Sequence, residues 1–233
     1  MNPERILAVV TARAGSKRVP GKNIRMMSGK PLLAWTIETA LACVSQFHAL
    51  ILSTEDETIA TIGQEFGATV PFLRPQSLAE DKSTSLAVLQ HATAFIEARD
   101  GVKMDWVLTL QPTSPLRNAD DIRAAIAVAD KNNCDSVVAV TEMKVHPVYA
   151  KKIDDDGFIK PFVLEEPEGL RRQDVGSSAY HRNGALYLTR RDVLMNGSLY
   201  GSRIRAHIMP AERSVDIDTE LDFQFAQFLL ERQ

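Results

Sequence analysis

An apolar run near the amino terminus, Ile6–Val10, leads directly into a glycine-containing cationic loop, Arg13–Asn23. Five consecutive apolar residues predict a buried strand, and the loop holds two glycines, one proline and four Lys or Arg residues. Free backbone N–H groups and mobile positive charge suit a polyphosphate ligand. The first thirty residues contain seven Lys or Arg and one acid, whereas the whole chain has net charge −3. We therefore expect a local anion site rather than a broad nucleic-acid-binding surface.

The loop matches neither of the two common phosphate-binding signatures. It lacks the GxxxxGK[ST] spacing of a P-loop and the GxGxxG spacing of a dinucleotide-binding turn. A solvated basic turn after an edge strand is the alternative interpretation. The position of the loop favours a ligand site, because ligands of open α/β sheets bind beyond the carboxyl ends of the strands.

The length of 233 residues suits a single α/β domain, 1–233, and the composition is typical of globular proteins, with 45% hydrophobic and 24% charged residues. Cys43 and Cys134 match no metal spacing, and a pair of free thiols suits a reducing compartment. The chain has no apolar run of membrane-spanning length and no signal-peptide pattern. We therefore expect a cytoplasmic protein that binds neither a membrane nor nucleic acid.

Predicted strands and helices alternate through the first half of the chain. This pattern predicts a mostly parallel sheet covered by helices on both faces. The predicted strands are Ile6–Thr11, Leu50–Thr54, Thr69–Leu73, Trp106–Leu110 and Ser136–Val140. The predicted helices open at Pro31, cover Glu55–Phe66 and Ser85–Ala98, and start again at Asn118. Strands at Ala185–Leu188 and Ile204–Met209 and a helix at Thr219–Glu231 follow.

The pattern changes over about residues 145–180. Asp154–Gly157 predicts a hairpin turn between Tyr149–Ile153 and Phe158–Pro161, and the tract after it is polar and irregular. A long loop without its own core is usually functional or ordered by a partner. We expect an insertion here.

Two further segments carry groups suited to binding. Gln111–Arg117 follows a predicted strand and presents Gln, Thr, Ser and Arg between two prolines, although a rigid structural turn would look the same. Asp216 and Asp218 lie two residues apart, so in an extended segment both carboxylates point to one side. Carboxylate oxygens suit Mg²⁺, and Thr219 with Asp222 already provides a helix cap. The sequence predicts a metal site at the acid pair.

The chain resembles the acylneuraminate cytidylyltransferase family, which activates nonulosonic (sialic-acid-type) sugars. Five motifs spread over nearly the whole chain carry the resemblance. They are Ala12–Asn23, Leu73–Pro75, Leu110–Arg117, Asn183–Tyr187 and Ser214–Thr219. The resemblance implies a Rossmann-like nucleotidyltransferase domain, and a Mg²⁺-dependent reaction of CTP with a nonulosonic acid that gives the CMP-sugar and pyrophosphate.

The resemblance also implies roles for individual residues. Arg13 and Lys22 would hold the triphosphate, and Asp216 and Asp218 would bind the metal, with one of them a candidate base for the attacking hydroxyl; these four are the expected catalytic residues. The expected nucleotide contacts are Ala12, Arg13, Gly15, Ser16, Lys17, Lys22, Asn23, Arg74, Ser83 and Ser85. The expected sugar contacts are Gln111, Thr113, Ser114, Arg172, Asn183 and Tyr187.

Relatives of this kind are homodimers, so the resemblance implies that the segment at about 145–180 reaches over the partner's site. Gly176 and Tyr149 depart from the family pattern, and both departures fall on the sugar side. Two alternatives stand beside this interpretation: a cytidylyltransferase for an eight-carbon ulosonate, and a nucleotide-binding module without turnover.

Overall fold

The computed structural model describes residues 5–162, 171 and 175–232. In chain order, the strands of the described residues are β1 (Ile6–Thr11), β2 (Met26–Met27), β3 (Lys30–Pro31), β4 (Ala49–Ser53), β5 (Trp106–Leu110), β6 (Ser136–Glu142), β7 (Lys151–Ile153), β8 (Ile159–Pro161), β9 (Tyr180–Arg190) and β10 (Ile204–Ile208). The α-helices of the same residues are α1 (Leu32–Leu41), α2 (Glu57–Glu65), α3 (Ser85–Asp100), α4 (Ala119–Lys131), α5 (Arg191–Met195) and α6 (Glu220–Leu230).

The main sheet has the strand order β10–β6–β9–β5–β1–β4. β1 pairs parallel with β4 and β5, and β10 pairs parallel with β6. β9 lies between β5 and β6 and is antiparallel to both. The predicted α/β class with a mostly parallel sheet is confirmed, and β9 is its one antiparallel member among the described strands.

Alternate residues of β1 enter two separate cores, as strand geometry requires. Ile6, Ala8 and Val10 pack in the core formed with α1, α2 and α4. Leu7 and Val9 pack in the core formed with α3 and α5. The sheet is therefore covered by helices on both faces.

A third core joins the two ends of the described chain. Its buried members near the amino terminus are Val19, Met27 and Leu32, and Leu116 after β5 joins them. The carboxyl-terminal members are Ile217 and three residues of α6: Phe223, Ala226 and Leu230. We call this set the end-joining cluster. It fixes the cationic loop against the segment that carries the two predicted metal ligands.

Helix boundaries follow the capping residues of the sequence. Asn118 accepts the Asp121 backbone N–H, and the Asp121 carboxylate accepts the Asn118 N–H, which completes a capping box. Thr219 and Asp222 form the same arrangement at the start of α6. These two helix starts are confirmed.

The predicted strand Thr69–Leu73 is wrong. Thr69 makes only an isolated bridge to Ile51 of β4. The next backbone hydrogen bond to this side of the sheet comes five residues later, where the Arg74 N–H donates to the Thr54 carbonyl at 2.8 Å. Pro71 has no N–H to donate, which explains why the ladder does not continue. The predicted strand Ala185–Leu188 is correct in position but too short. It covers only the middle of the eleven-residue strand β9.

β7 and β8 form a separate antiparallel hairpin whose turn is Asp154–Gly157, as the sequence predicted. Its apolar side chains lie in solvent, and the exposed set is Ile153, Phe158, Ile159 and Phe162. No helix of the described residues is long and apolar enough to cross a membrane.

The end-joining cluster generates a stability prediction. Phe223→Ala is expected to lower the free energy of unfolding by about 3–5 kcal/mol, because it leaves a cavity in place of a ring that is 2% exposed. Phe225 lies on the same helix and is 47% exposed, so Phe225→Ala should cost no more than about 1 kcal/mol. Urea denaturation of both variants measures the difference, and equal losses would contradict the role of the cluster.

Candidate active site

A cleft of about 610 Å³ opens where β1 and β5 end at the carboxyl edge of the sheet. This volume lies in the range of small-molecule sites. The cationic loop, the segment after β5 and the acid pair all contribute to its walls. The structure thus brings the two ends of the chain together around one space.

Most of the residues predicted to contact a nucleotide line this cleft. The lining members of that set are Ala12, Arg13, Ser16, Lys17, Lys22, Asn23, Arg74, Ser83 and Ser85. Gly15 is exposed on the loop and does not line the cleft. Gln111 and Thr113 of the predicted sugar contacts line it as well.

A buried ion pair between Glu55 and Arg74 holds the backbone of the cationic loop. The Glu55 carboxylate accepts the Ala14 backbone N–H at 2.8 Å and pairs with Arg74 Nη2 at 2.5 Å. Arg74 also donates to the Ala12 carbonyl at 3.3 Å. Arg74 therefore braces the loop backbone as well as lining the cleft. Glu55 was not among the predicted site residues, because nothing in its local sequence marks it as the partner of Arg74.

Loop cations already have an anionic partner across the cleft mouth. Arg13 Nη1 lies 3.4 Å from Asp81 Oδ1, and Lys17 contacts the same carboxylate. Hydrogen bonding by Lys17 is the main cause that lowers the pKa of Asp81. All three side chains are substantially exposed, so an incoming polyanion can replace Asp81 at little cost.

The acid pair lies beside Lys22. Ile217 is buried in the end-joining cluster, while Asp216 and Asp218 on either side of it line the cleft. Lys22 Nζ donates to the Ile217 carbonyl at 2.6 Å. Burial lowers the pKa of Lys22, and the charges of Asp218 and Asp216 oppose that shift. Desolvation by the cleft wall raises the pKa of Asp216, and Asp218 adds to the effect while a Thr113 hydrogen bond opposes it.

A bulge in β9 positions the next part of the site. Between the pairs Val138–Tyr187 and Val140–Arg182, β6 advances by two residues and β9 by five. Gly184 lies within the extra residues and has φ +75°. A Cβ atom at this position would lie 2.7 Å from an Asp216 carboxylate oxygen, so this backbone approach requires glycine.

Two predicted sugar contacts lie beneath the surface rather than on it. Ser114 is fully buried, and its hydroxyl faces the Asn183 carbonyl at 3.5 Å. Asn183 is 2% exposed, and its side chain bonds Ser214 and the Ala185 N–H. Their polar atoms bond groups inside the protein, whereas the family resemblance implied contacts with the sugar. Both residues position the bulge.

Arg117 is a second buried support that the sequence-based site set omitted. Its guanidinium donates to the Ala185 carbonyl at 2.6 Å, the Gln111 carbonyl at 3.2 Å and Thr36 Oγ1 at 2.7 Å. Complete burial lowers its pKa to about 10. Arg117 thereby ties the segment after β5 to β9.

The remaining predicted sugar contacts are Tyr187 and Arg172. Tyr187 is half-buried and does not line the cleft itself; its ring lies 6.0 Å from that of Tyr200. Arg172 lies outside the described residues.

Asp121 anchors the segment that leads to the acid pair. Arg213 Nη2 donates to it at 2.9 Å, and His207 Nε2 lies 3.2 Å away. Burial alone would raise the pKa of Asp121, but these contacts and the Asn118 N–H lower it far below its usual range.

The cytidylyltransferase family model matches residues 7–228 of this chain. A CMP-N,N'-diacetyllegionaminic acid synthase of Legionella pneumophila is 36% identical over 97% of both chains. A pseudaminic acid cytidylyltransferase of Campylobacter jejuni is 33% identical over 96% of this chain and 95% of that protein. An N-acylneuraminate cytidylyltransferase of Escherichia coli is 34% identical over 95% of this chain, which spans 51% of that longer protein. This chain belongs to the cytidylyltransferase family.

Two solved structures share the fold. A CMP:2-keto-3-deoxy-manno-octonic acid synthetase, solved with CTP, superposes with a TM-score of 0.72 at 19% identity over 98% of this chain and 99% of that one. A 4-diphosphocytidyl-2C-methyl-D-erythritol synthase of Anaerococcus prevotii gives a TM-score of 0.67 at 17% identity over 99% and 100%. This chain therefore shares its fold with both of these enzymes.

The Asp121 network generates a pH prediction. Asp121→Asn is expected to lower the free energy of unfolding by about 2–4 kcal/mol at pH 7, because Arg213 loses its anionic partner. The folded pKa of Asp121 lies below its unfolded value of about 3.9, so its contribution is present above that pH and is lost as the pH falls through the folded pKa. The stability gap between wild type and variant should therefore narrow in acid.

Asp120→Asn is the matched control, because the neighbouring Asp120 side chain is 84% exposed. It should change stability by no more than about 1 kcal/mol. Chemical denaturation at several pH values tests both variants, and a gap for Asp121→Asn that does not vary with pH would contradict the assignment.

Proposed function

We propose that this protein transfers CMP from CTP to a nonulosonic acid, in a Mg²⁺-dependent reaction that releases pyrophosphate. The observation that carries the proposal is the convergence of the cationic loop and the acid pair on one cleft. The relatives named for legionaminic, pseudaminic and N-acylneuraminic acids support the choice of acceptor. Cytoplasmic CTP would supply the nucleotide, so we place the enzyme in the cytoplasm.

The nucleotide side of the site is the loop Arg13–Asn23. Arg13, Lys17 and Lys22 supply positive charge, and the loop backbone is held by Glu55 and Arg74. Replacement of Asp81 by the triphosphate would free Arg13 and Lys17 for phosphate oxygens. Charge stabilisation and positioning account for most catalysis in phosphoryl-type transfer.

The acid pair suits a magnesium ion by its chemistry. Asp216 and Asp218 would supply two carboxylates to the ion. No third acidic, histidine or cysteine side chain among the described residues completes a metal-binding group with them. Mg²⁺ typically takes one or two carboxylates and completes its shell with water and substrate phosphates. When bound, the ion would offset the negative charge of the triphosphate.

The acceptor side is marked by Gly184, which lies against Asp216, and by Gln111, whose side-chain oxygen faces the same glycine. Burial raises the pKa of Asp216, so this carboxylate is a candidate to accept a proton from the attacking hydroxyl. Gln111 and Thr113 line the same wall and would orient the sugar.

We further propose a homodimer in which the insertion at about 145–180 covers the partner's acceptor side. The support is the hairpin β7–β8, whose exposed apolar residues pack on no core of the described chain. Contiguous exposed apolar side chains are typical of surfaces that a partner buries.

The alternatives fit less well. The solved structure whose name contains an eight-carbon ulosonate is 19% identical to this chain in sequence. The relatives that are 33–36% identical are named for other acids. A nucleotide-binding module without turnover would not need the two carboxylates of Asp216 and Asp218 in the cleft.

The reaction itself is the first test. Wild-type protein with CTP, Mg²⁺ and a panel of neuraminic, legionaminic and pseudaminic acids should release pyrophosphate and form a CMP-sugar. Arg13→Ala and Asp218→Asn should each lower turnover by about 100-fold or more, the scale of losing one transition-state contact. Arg99→Ala and Asp120→Asn, at exposed positions that do not line the cleft, should leave turnover unchanged. CTP binding without pyrophosphate release from any acid would favour the binding module.

Subunit mixing tests the shared site. Arg172→Ala and Arg13→Ala homodimers should both be nearly inactive, while heterodimers formed from them should recover part of the activity through one intact composite site. Co-expression with two affinity tags isolates the heterodimer. No recovery would place Arg172 and Arg13 in sites completed within one chain.

A further inference from the structure

Glu55 is a buried carboxylate that lies behind the wall of the cleft and does not line the cleft itself. Backbone hydrogen bonds fix the chain on its amino-terminal side. The Ala12 N–H donates to the Ser53 carbonyl at 3.1 Å, and the Arg74 N–H donates to the Thr54 carbonyl at 2.8 Å. Three segments that are far apart in the sequence therefore meet at Glu55.

The two carboxylate oxygens of Glu55 hold different parts of the nucleotide side. Oε1 accepts the Ala14 N–H of the cationic loop at 2.8 Å, and Oε2 accepts Arg74 Nη2 at 2.5 Å. The same Nη2 donates to the Ala12 carbonyl at 3.3 Å. The Glu55 and Arg74 side chains are only 7% and 4% exposed, so water does not loosen this arrangement. Glu55 thus sets the position of the loop backbone relative to the Arg74 guanidinium.

Arg74 keeps a donor that a ligand can use. Arg74 lines the cleft although it is only 5% exposed, and its Nε has no hydrogen-bond partner among the described residues. A buried N–H without a partner costs free energy, and an acceptor on a ligand would remove that cost. The guanidinium that Glu55 fixes is therefore still able to bind a nucleotide.

A carboxylate close to an anion-binding loop has two opposite effects on a triphosphate. Its charge repels the phosphates, so electrostatic attraction alone would favour a neutral residue at position 55. Its hydrogen bonds preorganise the loop and Arg74, and preorganised donors lose less entropy when a ligand binds. We infer that Glu55 is a positioning residue whose net effect is to strengthen CTP binding. This inference rests on the proposed function and makes Glu55 a determinant of nucleotide affinity that does not touch the nucleotide.

Glu55→Gln separates the two effects, because they change CTP binding in opposite directions. The amide oxygen can still accept the Ala14 N–H, but the amide NH₂ cannot accept from Arg74. Isothermal titration calorimetry with CTP and Mg²⁺ should show a Kd for CTP raised by about 10- to 100-fold. In turnover assays the KM for CTP should rise, while the KM for the acceptor stays within about twofold of wild type. A Kd for CTP equal to or below that of wild type would overturn the inference.

Glu97→Gln is the matched control. Glu97 accepts the Met104 backbone N–H at 2.9 Å and pairs with Arg191 at 2.8 Å, which reproduces the two contacts of Glu55 away from the cleft. Glu97→Gln should lower the melting temperature and leave the Kd for CTP within about twofold of wild type. An equal loss of CTP affinity in both variants would mean that Glu55 supports stability alone, which would also overturn the inference.

Two further variants of the pair make the test independent of how Glu55→Gln folds. Glu55→Asp keeps the charge but draws it back by one methylene group, so its Kd for CTP should lie between those of wild type and Glu55→Gln. If Glu55→Gln does not fold, a wild-type Kd for Glu55→Asp overturns the inference. In an Arg74→Met background, Glu55→Gln should weaken CTP binding by no more than about twofold further, because the two residues act as a unit. Fully additive losses would contradict that coupling.

The binding measurements separate this inference from the proposed function, because they need no turnover. A wild type that binds CTP but forms no CMP-sugar from any acid overturns the proposed function, and the effect of Glu55→Gln on CTP binding is measured all the same. An active wild type with a Glu55→Gln variant that binds CTP normally overturns the inference alone.

Discussion

The architecture of the site depends on one joint between the two ends of the chain. Ile217 packs with Val19 in the end-joining cluster, and its carbonyl accepts Lys22 Nζ at 2.6 Å. The alternation of an extended segment then fixes Asp216 and Asp218 on the opposite side, toward the cleft. Apolar packing on one side of a short segment thus sets the position of charge on the other.

The second constraint is the antiparallel strand β9. Its insertion between β5 and β6 brings Gly184 against Asp216, which only a residue without Cβ tolerates. The bulge leaves backbone carbonyls that a regular ladder would satisfy, and Arg117 and Asn183 bond the groups around it. Arg117 and Asn183 therefore stabilise the backbone around the cleft and are not available to bind a ligand.

The charges of the cleft are partly balanced within the free protein. Asp81 pairs with Arg13 and Lys17, and the two acids offset Lys22. The exposed pairs contribute little to stability and give way readily to a multivalent anion. The buried pair of Glu55 and Arg74 is different, because loss of either member would leave an uncompensated charge under the loop.

Local patterns in the sequence determined most of the elements and the helix caps, since periodicity and capping depend on neighbouring residues. The ten predicted nucleotide contacts came from the family resemblance, and nine of them line the cleft. The sequence could not show that Thr69–Leu73 leaves the sheet, that β9 runs antiparallel, or that Ser114 and Asn183 are buried. Glu55 and Arg117 were also absent from the predicted site residues. Each of these depends on partners far apart in the chain, and packing of the whole domain alone decides which distant groups meet.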